Sequence, residues 1–115
     1  MSYVDGFVAA VPKANKDQYL SHARESAKIF KEYGATKCIE TWEDDVPDGK
    51  VTDFHRAVQA KPDEAVVFSW ITWPDKATRD DAWKKSMEDD RMKNMQMPFD
   101  GKRMIYGGFA PIFEA

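Results

Sequence analysis

Three groups of residues in this chain carry chemistry in their types and spacing. The first is Asp53-Phe54-His55-Arg56. A histidine titrates near neutrality and can shuttle a proton, and a neighbouring guanidinium can hold a carboxylate or an enolate. If the stretch is a strand, adjacent side chains leave opposite faces, and His55 and Arg56 do not share a site. The second group runs from Asp100-Gly101-Lys102-Arg103 to Tyr106. A turn feeding a strand can bring a carboxylate, a guanidinium and a phenol together. There Arg103 would orient an anionic substrate and Tyr106 would donate to a developing oxyanion. The structural alternative is an Arg103–Asp100 pair that closes the turn. The third group is the polar residues set within apolar strands: Asp5, Cys38, Glu40 and Ser69. A carboxylate facing an apolar interior keeps its proton to higher pH and can act as a base, unless it is paired, with Arg56 or Arg103 as partners. Cys38 has no base beside it in sequence and reads as a small core residue.

The candidate catalytic residues are therefore Arg103, Tyr106, Asp100, His55 and Glu40, and the candidate ligand-binding residues are Arg56, Trp70, Asp5 and Ser69. Trp42, Trp70 and Trp73 with Met92, Met95, Met97 and Met104 can wall an apolar pocket or fill a core and an interface. His22 follows polar Ser21 in the middle of a helical stretch and is expected to face solvent. Two histidines and one cysteine offer no multi-Cys zinc site and no His-x-x-x-His or Glu-x-x-His pair. Gly107-Gly108 lacks the helix and lysine of a phosphate loop. Neither a metal nor a cofactor is expected.

The chain of 115 residues has the length of a single domain, taken as 1–115. With 43% hydrophobic and 32% charged residues it has the balance of a folded chain and not of a disordered one. A net charge of -3 argues against a surface for nucleic acid or anionic lipid. No apolar run reaches the ~20 residues of a membrane span, and Met1-Ser2-Tyr3-Val4-Asp5-Gly6 has no signal-peptide pattern. A lone thiol fits a reducing compartment, so the expected location is cytoplasmic.

The elements that must position these groups follow from pattern. Tyr3 to Val11, rich in Val and Phe and closed by Pro12, predicts a strand. Asn15 with Gln18 three residues on predicts a helix start, and Tyr19, Ala23, Ala27 and Phe30 form one apolar stripe up to a Gly34 cap. Thr36–Glu43 predicts a strand with Cys38, Glu40 and Trp42 on one side and Ile39 and Thr41 on the other. Phe54–Gln59 reads as a short strand. Ala65–Trp73 is a near-continuous apolar strand stopped by Pro74, with both faces buried. Asp75 or Thr78 then caps a helix to about Met87, with Ala82, Trp83 and Met87 inward. Residues 88–96 are compatible with a continued helix or a separate turn. Arg103–Phe113 reads as the last strand, with Gly107-Gly108 marking a bulge or a close backbone approach. The order fits an α+β fold: a ferredoxin-like βαββαβ sandwich with two helices on one face of an antiparallel sheet.

Two helices cover one face only, yet the strands are apolar on both. Whichever parity meets the helices, at least seven sizeable apolar side chains from the three long strands point away from them. Leaving them wet forfeits about 10–20 kcal/mol, comparable with the ~5–15 kcal/mol that holds a whole domain folded. A second copy applied to the same face, a homodimer closing into an α/β barrel, is the simplest cover.

Tyr3-Val4-Asp5-Gly6-Phe7, Val46-Pro47-Asp48-Gly49-Lys50-Val51-Thr52, Val66-Val67-Phe68-Ser69-Trp70 and the block from Met97-Pro98-Phe99-Asp100-Gly101 to Gly107-Gly108-Phe109 resemble the YbaA-like bacterial family, a domain of unknown function. The resemblance spans nearly the whole chain, with a shorter segment between Met92 and Met97. It implies the dimeric α/β-barrel superfamily, whose members include cofactor-free monooxygenases, heme-dependent enzymes and isomerases. It assigns no catalytic residue, and whether the chain is an enzyme stays open. The resulting expectation is a protein that binds or transforms a small, partly apolar anionic molecule by acid/base or cofactor-free oxygenase-type chemistry. The alternative is a non-catalytic interaction protein with a packed interior.

Overall fold

The strands and helices form where backbone preference and burial agree. The computed structural model describes residues 2–115; Met1, which begins the N-terminal stretch considered above, lies outside them. The order is β1 (Tyr3–Pro12), a 3-10 turn (Lys13–Asn15), α1 (Lys16–Glu32), β2 (Lys37–Trp42), α2 (Phe54–Ala57), β3 (Glu64–Trp73), α3 (Lys76–Glu88), α4 (Asp90–Lys93) and β4 (Ile105–Phe109). The four strands make one open antiparallel sheet in the order β2-β3-β1-β4. The central pair β1 and β3 runs in register from Tyr3↔Trp73 to Pro12↔Glu64, and these are the two most apolar stretches of the chain.

Turn chemistry sets the ends. Gly34 lies in the left-handed region at φ 115° and Ala35 N–H closes on Phe30 O at 3.0 Å. A Cβ on Gly34 would meet Thr78 Cγ2 at 2.6 Å, so this glycine also lets α1 approach α3. Asp75 caps α3, its Oδ1 accepting from Thr78 N–H at 2.7 Å. At Gly108 a Cβ would fall 2.5 Å from Tyr3 Oη and 2.7 Å from Arg79 Nη2. The glycine pair therefore marks a close approach, while the β1–β4 ladder runs through it without an extra residue.

Several local expectations are corrected. Phe54–Gln59 is not a strand: Asp53 accepts from Arg56 N–H at 2.7 Å and starts α2. That turn places Val58 as a 1%-exposed plug over one end of the sheet. Asn15 does not cap α1; its side-chain amide donates to Pro98 O at 2.9 Å instead. On α3 the inward position after Ala82 is Ser86, four residues on, and Met87 is 75% exposed. Residues 88–96 break at Asp89, whose carboxylate accepts from Arg91 N–H at 2.9 Å and begins the separate α4. The last strand is Ile105–Phe109 and not Arg103–Phe113, because β1 presents partners only from Val4 to Val8 and Pro111 has no N–H to give.

The odd positions of β1 and β3 and the even positions of β2 meet the helices. Tyr19, Phe30 and Ala82 pack there with Ala9, Val11, Val67, Ile71 and Trp73. On the other face Val58 covers Val8, Ala10 and Val66, and Phe54 of α2 packs edge-on to Phe68 at 6.0 Å between ring centres. The rest is open, with Phe68, Ile105 and Phe109 exposed and Trp70 half-buried. Among the described residues no helix is long and apolar enough to cross a membrane.

Candidate functional site

Between α1, the helix-facing side of the sheet and the segment from Met92 to Met104 lies a cavity of about 250 Å³. Phe7, Ala9, Val67 and Ile71 form its floor, Phe30 and Trp83 one end, and Met92, Met95, Met97, Phe99 and Met104 its roof. The roof is tied to α1 at two points, Phe99 against Tyr19 at 5.7 Å between ring centres and Ser26 Oγ donating to Met95 Sδ at 3.3 Å, and to the turn before α1 by Asn15 and Pro98 as above.

Its polar groups are Tyr19, His22, Ser26, Glu40 and Ser69. Parity explains two of them: Glu40 and Ser69 are register partners across the β2–β3 ladder and so point to the same, helix-facing side. Tyr19 Oη donates to Glu40 Oε1 at 2.5 Å. Burial raises the Glu40 carboxyl above its usual range, and the hydrogen bonds from Tyr19 and Ser69 pull it partly back. Burial, followed by the Glu40 charge and their shared hydrogen bond, pushes the Tyr19 phenol far up, so it stays a neutral donor. Glu40 stands on edge strand β2, with part of its surface toward solvent and its carboxylate drawn in to Tyr19 in a part-buried bond. Among the described residues no lysine or arginine lines the cavity. The arrangement can accept a hydrogen bond from a neutral donor, or take its proton, within apolar walls.

The other candidate residues lie elsewhere. Asp5 is 2% exposed and accepts from Trp73 Nε1 at 2.8 Å, Trp83 Nε1 at 2.9 Å and Arg79 Nη2 at 2.7 Å. Its cation is Arg79, not Arg56 or Arg103. Arg103 binds Glu64 through both terminal nitrogens at 2.7 Å, Asp100 at 3.1 Å and Gln59 O at 2.8 Å. That pairing holds the Glu64 carboxyl at about 2. Arg103 and Asp100 line a shallow cleft outside the cavity. Arg56 stitches its own loop through Asp53, Val51 O and Gly49 O. His55 contacts Glu43 at 3.2 Å. Although adjacent on one helical turn, His55 and Arg56 are thus committed to different partners. Trp70 lies on the open face beside Phe68 at 5.7 Å. Tyr106, 72% exposed, stacks on Phe7 at the sheet edge. Trp73 is core, and Trp83 is the one tryptophan in the cavity lining. Cys38 packs into the core, and burial raises its thiol.

Of the nine candidates, then, the cavity brings together Glu40 and Ser69. The sequence reading missed Tyr19, His22 and Ser26 as polar lining, and the expectation of a solvent-facing His22 is corrected. The signal was present: residues 19, 22, 23, 26 and 30 follow helical spacing, so His22 and Ser26 share the apolar stripe of α1. Burial lowers the His22 pKa, and the ring packs edge-on to Phe99 at 6.2 Å.

Comparison with known proteins gives a consistent result. Residues 2–101 match the family described as "Protein of unknown function (DUF1428)". The chain is 58% identical over 116 residues to "Uncharacterized protein YbaA" of Escherichia coli (strain K12), covering 99% of each. The protein of the same name from Shigella flexneri matches with the same identity and coverage.

Proposed function

The chain belongs to the DUF1428 family, and we propose that it binds a small, largely apolar molecule in the cavity of each subunit, with Glu40 accepting a hydrogen bond, or a proton, from the ligand. One observation carries this reading: a carboxylate raised by burial, 2.5 Å from the Tyr19 hydroxyl, at the wall of an apolar cavity that contains no compensating cation. The same observation alters the ligand's charge. The anionic preference expected from sequence depended on Arg103 and Arg56, whose donors are taken up within the protein, whereas Glu40 favours a neutral hydroxyl or an acidic C–H. Calorimetric titration with 1-naphthol and with its methyl ether tests this. A hydrogen bond to a charged group is worth about 1.5–3 kcal/mol, so 1-naphthol should bind about 10–100-fold tighter than the ether. Glu40→Gln should abolish most of that difference. Equal affinities in the parent protein would refute the reading.

The second element of the proposal is a ferredoxin-like subunit that pairs into a dimeric α/β barrel through the open part of the sheet face opposite α1 and α3; the expected helix-free face is partly taken by α2 and Val58. The strand order supports the first part, and the open patch of Phe68, Trp70, Ile105 and Phe109 supports the second. Sedimentation should give a dimer that Phe68→Glu with Phe109→Glu converts to a monomer; a monomeric parent protein would refute it.

A further inference from the structure

We propose a soft-cation site at the throat of the cavity, where the thioethers of Met95 and Met97 and the imidazole of His22 hold a monovalent ion of the Cu(I) or Ag(I) class. Glu40 is not one of its ligands. Four of the chain's six methionines, Met92, Met95, Met97 and Met104, line a single cavity, and three of them fall in the short run Met92-Lys93-Asn94-Met95-Gln96-Met97. His22, Met95 and Met97 line both the inner cavity and the outer cleft, so they stand where the two meet. Ser26, one helical turn beyond His22, fixes Met95 Sδ against the same face of α1 at 3.3 Å.

The imidazole has unused capacity. His22 Nδ1 is buried without a hydrogen-bond partner among the described residues, which is costly for a polar atom; an ion bound at Nδ1 itself would satisfy it, whereas one bound at Nε2 would not. The approach does not repel a cation: in the cleft Glu64 and Asp100 pair with Arg103, Glu25 pairs with Lys28, and Asp17 adds a further negative charge. The donor set selects the ion. Thioether sulfur with imidazole is soft and uncharged and suits Cu(I) or Ag(I), whereas Mg²⁺ and Ca²⁺ require oxygen donors. Among the described residues no group of three or more His, Cys, Asp or Glu side chains is placed to hold a harder ion.

The test uses Ag(I), a redox-inert probe, on full-length protein carrying Cys38→Ala, which removes the chain's one thiol. Native mass spectrometry and calorimetry should find one Ag(I) per chain. Met95→Leu with Met97→Leu, which conserves volume, should weaken binding at least 100-fold, and His22→Gln at least 10-fold, with circular dichroism unchanged. Glu40→Gln should retain the ion, so that loss of naphthol binding and loss of silver binding report on different groups. The proposal is overturned if Cys38→Ala protein takes up no stoichiometric Ag(I). It is equally overturned if the leucine pair binds silver as the parent does, or if Zn(II) binds as tightly as Ag(I).

Discussion

Replacing Asp5 with alanine should be among the most damaging single changes in the chain. The carboxylate is buried, and removing it strands the indole N–H of Trp73, a residue with no exposed surface, and that of Trp83. It also leaves Arg79, whose side chain is 22% exposed, without its main partner. Each orphaned buried donor costs about 1–3 kcal/mol, and breaking one side of a buried ion pair about 3–5 kcal/mol. Arg79 can turn toward solvent or toward Asp80, which lies 3.0 Å away, so most of the ion-pair penalty is relieved and the two indoles, at about 2–6 kcal/mol together, set the scale. We expect a loss of about 3–5 kcal/mol in urea unfolding followed by tryptophan fluorescence, equivalent to roughly 10–25 °C in Tm. Asp5→Asn retains one carbonyl acceptor and should fall between. Because Asp5 and Arg79 act as a unit, Asp5→Ala with Arg79→Met should cost at least 2 kcal/mol less than the two single losses summed, at the scale of strongly coupled pairs. A loss below about 1 kcal/mol for Asp5→Ala would refute the network as an anchor between β1, β3 and α3.

Two further outcomes follow from the same geometry. Arg103 holds the Glu64 carboxyl at about 2, below its ordinary 4.5, so this pair's stabilisation is present above pH 4.5 and is lost as pH falls toward 2. Glu64→Gln should lower stability at neutral pH and flatten the decline of the urea midpoint between those values; an unchanged acid limb would contradict the pairing. Gly34→Ala combines a left-handed φ of 115° with a 2.6 Å clash on Thr78 Cγ2 and should cost about 1–3 kcal/mol, whereas a neutral result in thermal unfolding would show that α1 ends differently.

What could be read from sequence was what local pattern controls. The apolar run Ala65–Trp73 with Pro74 behind it, the Gly34 stop, the Asp75 cap and the parity of Cys38, Glu40 and Trp42 each depend on neighbours within a few residues. The pairs that define the site and its supports do not. Tyr19 and Glu40 are 21 residues apart, Arg103 and Glu64 39, and Asp5 and Arg79 74, and no periodicity links them. The short helix at Phe54 escaped because four residues are too few to show a 3.6-residue period, and only the Asp53 cap marks it. Arg103 looked available to a substrate because its partner Glu64 stands 39 residues away in sequence, at the start of β3, where it is 6% exposed.

If Glu40 is a cavity carboxylate bonded to Tyr19 and within reach of a ligand, carboxyl-carbon NMR across pH reads all three properties at once. Its midpoint should lie above the ordinary 4.5, rise further in Tyr19→Phe as a stabilising hydrogen bond is lost, and shift on adding 1-naphthol while the Glu64 carbon does not. A Glu40 midpoint at or below 4.5, indifferent both to Tyr19→Phe and to naphthol, would refute that placement.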